Sequence, residues 1–209
     1  MLANGNICER DSEVKKLVLM ALGAGSMIAI AAPAAAQTVS GDVTITGTVT
    51  PKCTVINGTG PTTFAASRDI GELAKADGTL ETSSVLAGRF GLAGGSAPTF
   101  RVVCTSANPL IAVDAVELTT AGTPPSGYTS RIDFIGYVAP RLSSGAGTTV
   151  SNDSSTNAAT PATAIGGRFA ADGSDNITVT ADTFKTAPGA LLASGAYTGH
   201  ILINITPGT

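Results

Sequence analysis

The chain has 209 residues but no tryptophan, one histidine, three cysteines, 4% aromatic residues and 13% charged residues. Each shortage excludes a class of function. One histidine and so few cysteines cannot assemble a zinc centre of the usual kind. Twelve Lys and Arg against 15 Asp and Glu give a net charge of −3. A nucleic-acid surface needs clustered basic residues, which are missing here, and nothing favours attraction to anionic lipid. The acids are scattered and form no Asp-x-Asp-x-Asp-Gly calcium loop. Asp172-Gly-Ser-Asp175 therefore reads as a turn rather than a cation site. No serine sits in a Gly-x-Ser-x-Gly elbow, and the glycines of 91–95 lack the lysine and helix of a phosphate loop. His200 falls on the polar phase of the last apolar stretch and reads as a solvated strand histidine. The sequence thus points away from an enzyme and implies no catalytic residue, metal ligand or cofactor.

Glycine is abundant, with 25 residues, and there are 11 prolines. Between these breakers the aliphatic residues recur in strand phase, which separates the chain from disordered compositions. Thr99–Thr105 places Phe100, Val102 and Cys104 on one face. Leu110–Leu118 is a long apolar stretch after Pro109, rich in β-branched residues. Arg131–Val138 alternates, as do Asn176–Phe184 and Gly199–Ile205. Asn57–Thr63, Lys75–Thr79 and Thr119–Ser130 carry turn chemistry. Ser143–Ala164, a low-complexity run of Ser, Thr, Ala, Gly and Asn, reads as an exposed loop. Leu80–Leu92 is apolar up to the Gly94-Gly95 break, and no convincing amphipathic helix is seen anywhere. Short strands separated by turns predict an all-β sandwich or barrel.

The first 36 residues have the order of a secretory signal. Lys15 and Lys16 precede an apolar run, and Ala34-Ala35-Ala36 supplies small residues for cleavage. A membrane anchor is the alternative, since the run nears spanning length. Cleavage would remove Cys8 and leave one domain's length of chain holding Cys53 and Cys104. An exported chain with one such pair is expected to oxidise it; two unpaired buried thiols are the alternative. The expected organisation is residues 1–36 as leader and signal, 37–50 as an extension, and 51–209 as the sandwich domain.

The extension carries the strongest pattern in the chain. From Thr38 to Thr50 every odd position is apolar or glycine: Val39, Gly41, Val43, Ile45, Gly47 and Val49. Every even position is polar. In an extended backbone such alternation puts one apolar and one hydroxylated side on a single strand. Two uses of that strand remain open. It could be the domain's own first strand, or it could add to the sheet edge of another copy.

Taken in order, the signal segment, the alternating extension, VTPKCTV around Cys53, FRVVCT around Cys104 and the late GAYTGHILINIT stretch resemble the spore coat protein U family, which is similar to subunits of archaic chaperone–usher pili. The resemblance spans most of residues 38–206. It implies an incomplete immunoglobulin-like sandwich that lacks its last strand, completed by the N-terminal extension of a neighbour. It implies other copies, a periplasmic chaperone and an outer-membrane usher as partners, and a route through the periplasm to the cell surface. Carried over, Cys53 and Cys104 form the family's bridge between the first two strands. Val39, Val43, Ile45 and Val49 fill the groove, and Tyr197–Thr206 borders it. The chain departs from the family in ending on Pro207-Gly208-Thr209 and in the length of Ser143–Ala164. The rival reading is a secreted, non-catalytic sandwich that binds a protein or glycan partner. With no tryptophan and few other aromatics, glycan binding is the less favoured form of it.

Overall fold

The computed structural model of the chain describes residues 40–91 and 96–208. The expected leader and signal segment, Thr38, Val39 and the Gly94-Gly95 break lie outside them. In chain order the elements are β1 (Cys53–Val55), helix α1 (Ser83–Phe90), β2 (Thr99–Phe100), β3 (Val102–Cys104), β4 (Leu110–Thr119), β5 (Tyr128–Thr129), β6 (Arg131–Leu142), β7 (Gly145–Ala146), β8 (Val150–Asp153), β9 (Thr163–Ala164), β10 (Ile177–Lys185), β11 (Leu191–Leu192) and β12 (Thr198–Thr206). The alternation seen in the sequence becomes alternation of burial. In β4, Ile111, Val113 and Ala115 are buried; in β6, Ile132, Phe134 and Val138 are.

The pairing makes an all-β sandwich. β12 runs antiparallel to β4 along its length, from Thr198 opposite Thr119 to Thr206 opposite Leu110. β6 is flanked by β8 on one side and by β10 on the other over residues 135–138. β4 and β6 pair only at Leu118–Thr119 with Arg131–Ile132. Beyond that corner they diverge into two leaves, β12-β4-β9 and β8-β6-β10-β2. The leaves face each other closely. A Cβ placed on Gly136 of β6 would lie 3.1 Å from the Ile201 side chain of β12, tighter than ordinary packing permits.

Two apolar clusters fill the space between the leaves. The first gathers Phe100, Val102, Ile111, Val113 and Ile177, with Cys53 and Cys104 packed against it. The second gathers Leu86, Phe134, Ala181 and Phe184 under helix α1. Ile201 packs against both.

Cys53 and Cys104 are joined in a disulfide and stand directly opposite each other in the β1–β3 ladder. The bridge closes a loop with a sequence separation of 51.

Two regions differ from their sequence reading. Residues 83–90 form a helix, where no convincing one was expected. Leu86 and Ala87 are buried and Phe90 half-buried on one face, and Gly91, with φ of 123°, ends the helix. Eight residues are too few for a helical period to stand out, and packing rather than propensity holds so short a helix. The Ser143–Ala164 run is not simply an exposed loop, because it contains β7, β8, β9 and a 3-10 turn at Ser154–Thr156. Its polar side chains turn inward onto backbone. Asn152 accepts from the Ala115 N–H at 2.8 Å, and Ser154 accepts from the Phe134 N–H at 2.9 Å. Buried amides require such partners.

Removing the bridge by Cys104→Ser should lower unfolding stability by roughly 2–4 kcal/mol, since a loop of this length is constrained in the unfolded chain. Urea denaturation of the purified protein measures it. An unchanged midpoint would show that the bridge adds nothing to the fold.

Candidate functional site

Strand edges carry unpaired N–H and C=O groups, and proteins either cover them or use them. The outer edge of β4 is covered. β9 pairs with Leu110 and Ile111. Thr160 both donates to and accepts from Val113, and Asn152 satisfies Ala115. β12 is treated differently. Among the described residues its backbone hydrogen bonds all go to β4, and none reaches its other edge. β12 itself alternates: Gly199, Ile201, Ile203 and Ile205 are half-buried, while Thr198, His200, Leu202 and Asn204 are exposed. Leu202 is 51% exposed, unusual for a leucine in the middle of a paired strand.

Beside this free edge lies a cleft of about 820 Å³. Its apolar lining includes Ile70, Phe90, Leu118, Phe134, Phe184 and Ile201. Five of the chain's six phenylalanines border it, so a chain poor in aromatic residues concentrates them in one place. At its end the Tyr197 hydroxyl reaches the carbonyls of Ala193 at 2.9 Å and Thr129 at 3.0 Å. Burial pushes this phenol above its ordinary pKa, so it stays a neutral donor at physiological pH.

Another wall of the cleft is the 65–73 segment, which forms no strand. Its shape is held by side chains. Arg68 donates through Nε and Nη2 to the Arg89 carbonyl at the end of helix α1, at 3.1 and 2.9 Å. Arg89 donates back to the carbonyls of Ile70 and Glu72. The two guanidinium groups thus strap the segment to the helix in both directions. Asp69 and Glu72 cap the N–H groups of Gly71 and Ala74. This part of the lining is therefore chain outside any ladder, whereas β12 is paired on one edge only.

The residues singled out from the sequence fall as follows. Cys53 and Cys104 are bridged. Gly41, Val43, Ile45, Gly47 and Val49 lie in a segment, 40–50, that forms no strand in the single chain. Val43 is 85%, Ile45 91% and Val49 75% exposed. Val39 is outside the described residues. His200 is exposed on the outward phase of β12. Asp172 is paired with Arg141, whose guanidinium holds its carboxyl well below the usual range, and it also caps Ser174. Asp175 bonds Asn57 and Thr99. The two carboxylates are thus committed to the fold and do not converge on a cation. Among the described residues no cluster of three or more His, Cys, Asp and Glu side chains is arranged to hold a metal. No described helix is long and apolar enough to cross a membrane.

The phenylalanines and the arginine-strapped wall were not singled out from the sequence. They come from stretches far apart in the chain and carry no common motif. The one signal available was that aromatics are scarce yet sit at apolar-phase positions of several strands. Comparisons with protein-family models, curated proteins and solved structures return no match.

Replacing both straps, as Arg68→Ala with Arg89→Ala, should speed amide hydrogen exchange across 65–73 while leaving β6 and β10 protected. Unchanged exchange in 65–73 would show that other contacts hold the wall.

Proposed function

We propose that this protein is a secreted structural subunit of a surface fibre, and that the extension of one copy fills the cleft of the next. On this reading the sandwich is immunoglobulin-like and lacks a strand. The observation that carries it is the coincidence of two incomplete parts in one chain. One is an apolar cleft beside an unpaired edge. The other is an alternating segment whose apolar side chains are exposed. An added strand satisfies the backbone of β12 while its alternate side chains enter the cleft. The same cleft suits a chaperone strand before assembly. The disulfide and the resemblance to spore coat protein U and archaic pilus subunits support an exported chain that passes through a periplasm.

The chemistry of the cleft favours an apolar segment over other occupants. A glycan site needs stacking platforms and polar groups arranged around them, whereas phenylalanine and aliphatic side chains dominate here. Burying Val43 and Ile45 contributes roughly 3–6 kcal/mol. Two carboxylates in their place would stand unpaired in an apolar setting, which is strongly unfavourable.

The mature protein should therefore form polymers in concentrated solution, and the Val43→Asp/Ile45→Asp double variant should elute as a monomer. Its far-ultraviolet circular dichroism should still report a β-rich domain, because neither side chain is buried in the single chain. Size-exclusion chromatography and circular dichroism together decide the matter. A wild type that remains monomeric, or a double variant that assembles as well as wild type, would contradict the proposal. A double variant that unfolds would indicate that 38–50 is the domain's own strand.

A further inference from the structure

Resting on the fibre reading, a second question is where along β12 the incoming strand settles. We propose a single antiparallel register, in which Gly41 of one copy lies over Ile201 of the next and Asp42 stands beside His200. Three independent features of the chain converge on it.

The first is the relief of the cleft. On the inward phase of β12 the side chains at 197, 199 and 201 are large, absent and large: Tyr197, Gly199, Ile201. Ile201 is the crowded point, since it packs on both apolar clusters and a Cβ on Gly136 in the facing leaf would lie only 3.1 Å from its side chain. A glycine in the incoming strand is wanted there; Gly199 has its own Cβ direction filled by the β4 carbonyls of Val116 and Glu117 and presents no side chain to compete with one from the incoming strand. Directly opposite residues on one face of an antiparallel pair are near neighbours, with Cβ atoms about 5 Å apart. With Gly41 opposite Ile201, Val43 falls opposite Gly199 and Ile45 opposite Tyr197. Small then meets large at Gly41 and Ile201, large meets small at Val43 and Gly199, and Ile45 meets the Tyr197 ring. Tyr197 and Gly199 both line the cleft, so Val43 and Ile45 enter it in this register.

The second is charge. Asp42 is the only charged residue between Thr38 and Thr50, and His200 is the only histidine in the chain. Both lie on the outward phase of their segments. His200 is paired on β4 with the uncharged Val116, and the nearest β4 carboxylate on the same phase, Asp114, is opposite Leu202. Glu117, next in sequence to Val116, is engaged by Arg131. In the proposed register the Asp42 carboxylate accepts a hydrogen bond from the His200 imidazole, and the pair marks one alignment out of several.

The third is the failure of the alternatives. The other arrangements that seat a glycine on Ile201 and a side chain at Gly199 use Gly47 in either direction, or Gly41 in a parallel strand. Gly47 antiparallel puts Val49 opposite Gly199 and leaves Ile45 and Val43 opposite Ile203 and Ile205, which do not line the cleft. Gly41 parallel sets Asp42 against the exposed Leu202. Gly47 parallel keeps Ile45 and Val43 in the cleft but moves Asp42 beside Ala196 and puts Thr46 beside His200. It is the one serious rival, and parallel pairing is slightly the weaker per residue.

Cysteine pairs in the full mature chain separate these arrangements. Chains carrying Asp42→Cys with His200→Cys, assembled and then oxidised, should give a ladder of covalent oligomers on non-reducing denaturing gels. Chains carrying Thr46→Cys with His200→Cys should give none. Gly41→Leu should slow assembly by about tenfold or more through overpacking on Ile201, and Gly47→Leu should have a much smaller effect. A ladder from the Thr46→Cys/His200→Cys chains, or a bridge closed within one chain by the Asp42→Cys/His200→Cys pair, would overturn the register. If the wild type assembles and the Asp42→Cys/His200→Cys chains do not link, the register is wrong while the fibre reading stands. If the wild type never assembles, both fall.

Discussion

The need of a strand edge for hydrogen-bond partners governs this structure. The leaf β12-β4-β9 has two edges, and the chain treats them in opposite ways. Along β4 a short strand and the side chains of Asn152 and Thr160 meet the backbone groups one by one. Along β12 nothing among the described residues does so. An edge left open beside an apolar cleft costs free energy in an isolated domain and invites β-augmentation. The alternating segment at residues 38–50 has the matching pattern, and that match is the basis for reading the protein as a fibre subunit.

The rest of the fold is arranged so that this opening can exist. The apolar cluster around Phe100, Val102 and Ile177 is closed by the Cys53–Cys104 bridge and by Asn176, a buried amide. Asn176 accepts from the Val102 N–H and donates to the Val102 and Ala170 carbonyls. The cluster around Phe134 and Phe184 is covered on one side by helix α1 and is open towards the cleft. A finished, cross-linked end therefore supports an unfinished one. The β10 bulge at its edge is pinned by Lys185, whose ammonium holds the Asp153 carboxyl at a pKa of about 2. Polar contacts thus add to the apolar packing in this part of the sandwich.

The long strands β4, β6 and β10 were legible in the sequence, because their alternation follows directly from the pleat; the short β8, also buried on one face, was hidden in a low-complexity run. The cysteine pair was legible from the expected signal segment and from the count of two cysteines after it. Helix α1 was not, since eight residues packed by Leu86, Ala87 and Phe90 leave no recurring period. The inward role of Asn152, Ser154 and Thr160 was not either. Their partners are backbone groups 20 to 47 residues away, and low-complexity composition looks the same whether a side chain faces water or an amide. The cleft was the least legible feature. Phe90, Phe134 and Phe184 meet there from a helix and two strands, and only the fold brings them together.

The most direct test of strand addition is the fate of the β12 amides that point away from β4. Amide hydrogen exchange should be measured for the assembled wild type and for the Val43→Asp/Ile45→Asp chain at the same concentration. If a neighbour's strand pairs with β12, those amides exchange slowly in the assembled protein and rapidly in the variant, while the amides bonded to β4 are protected in both. Equal exchange of the outward amides in the two samples would contradict the account.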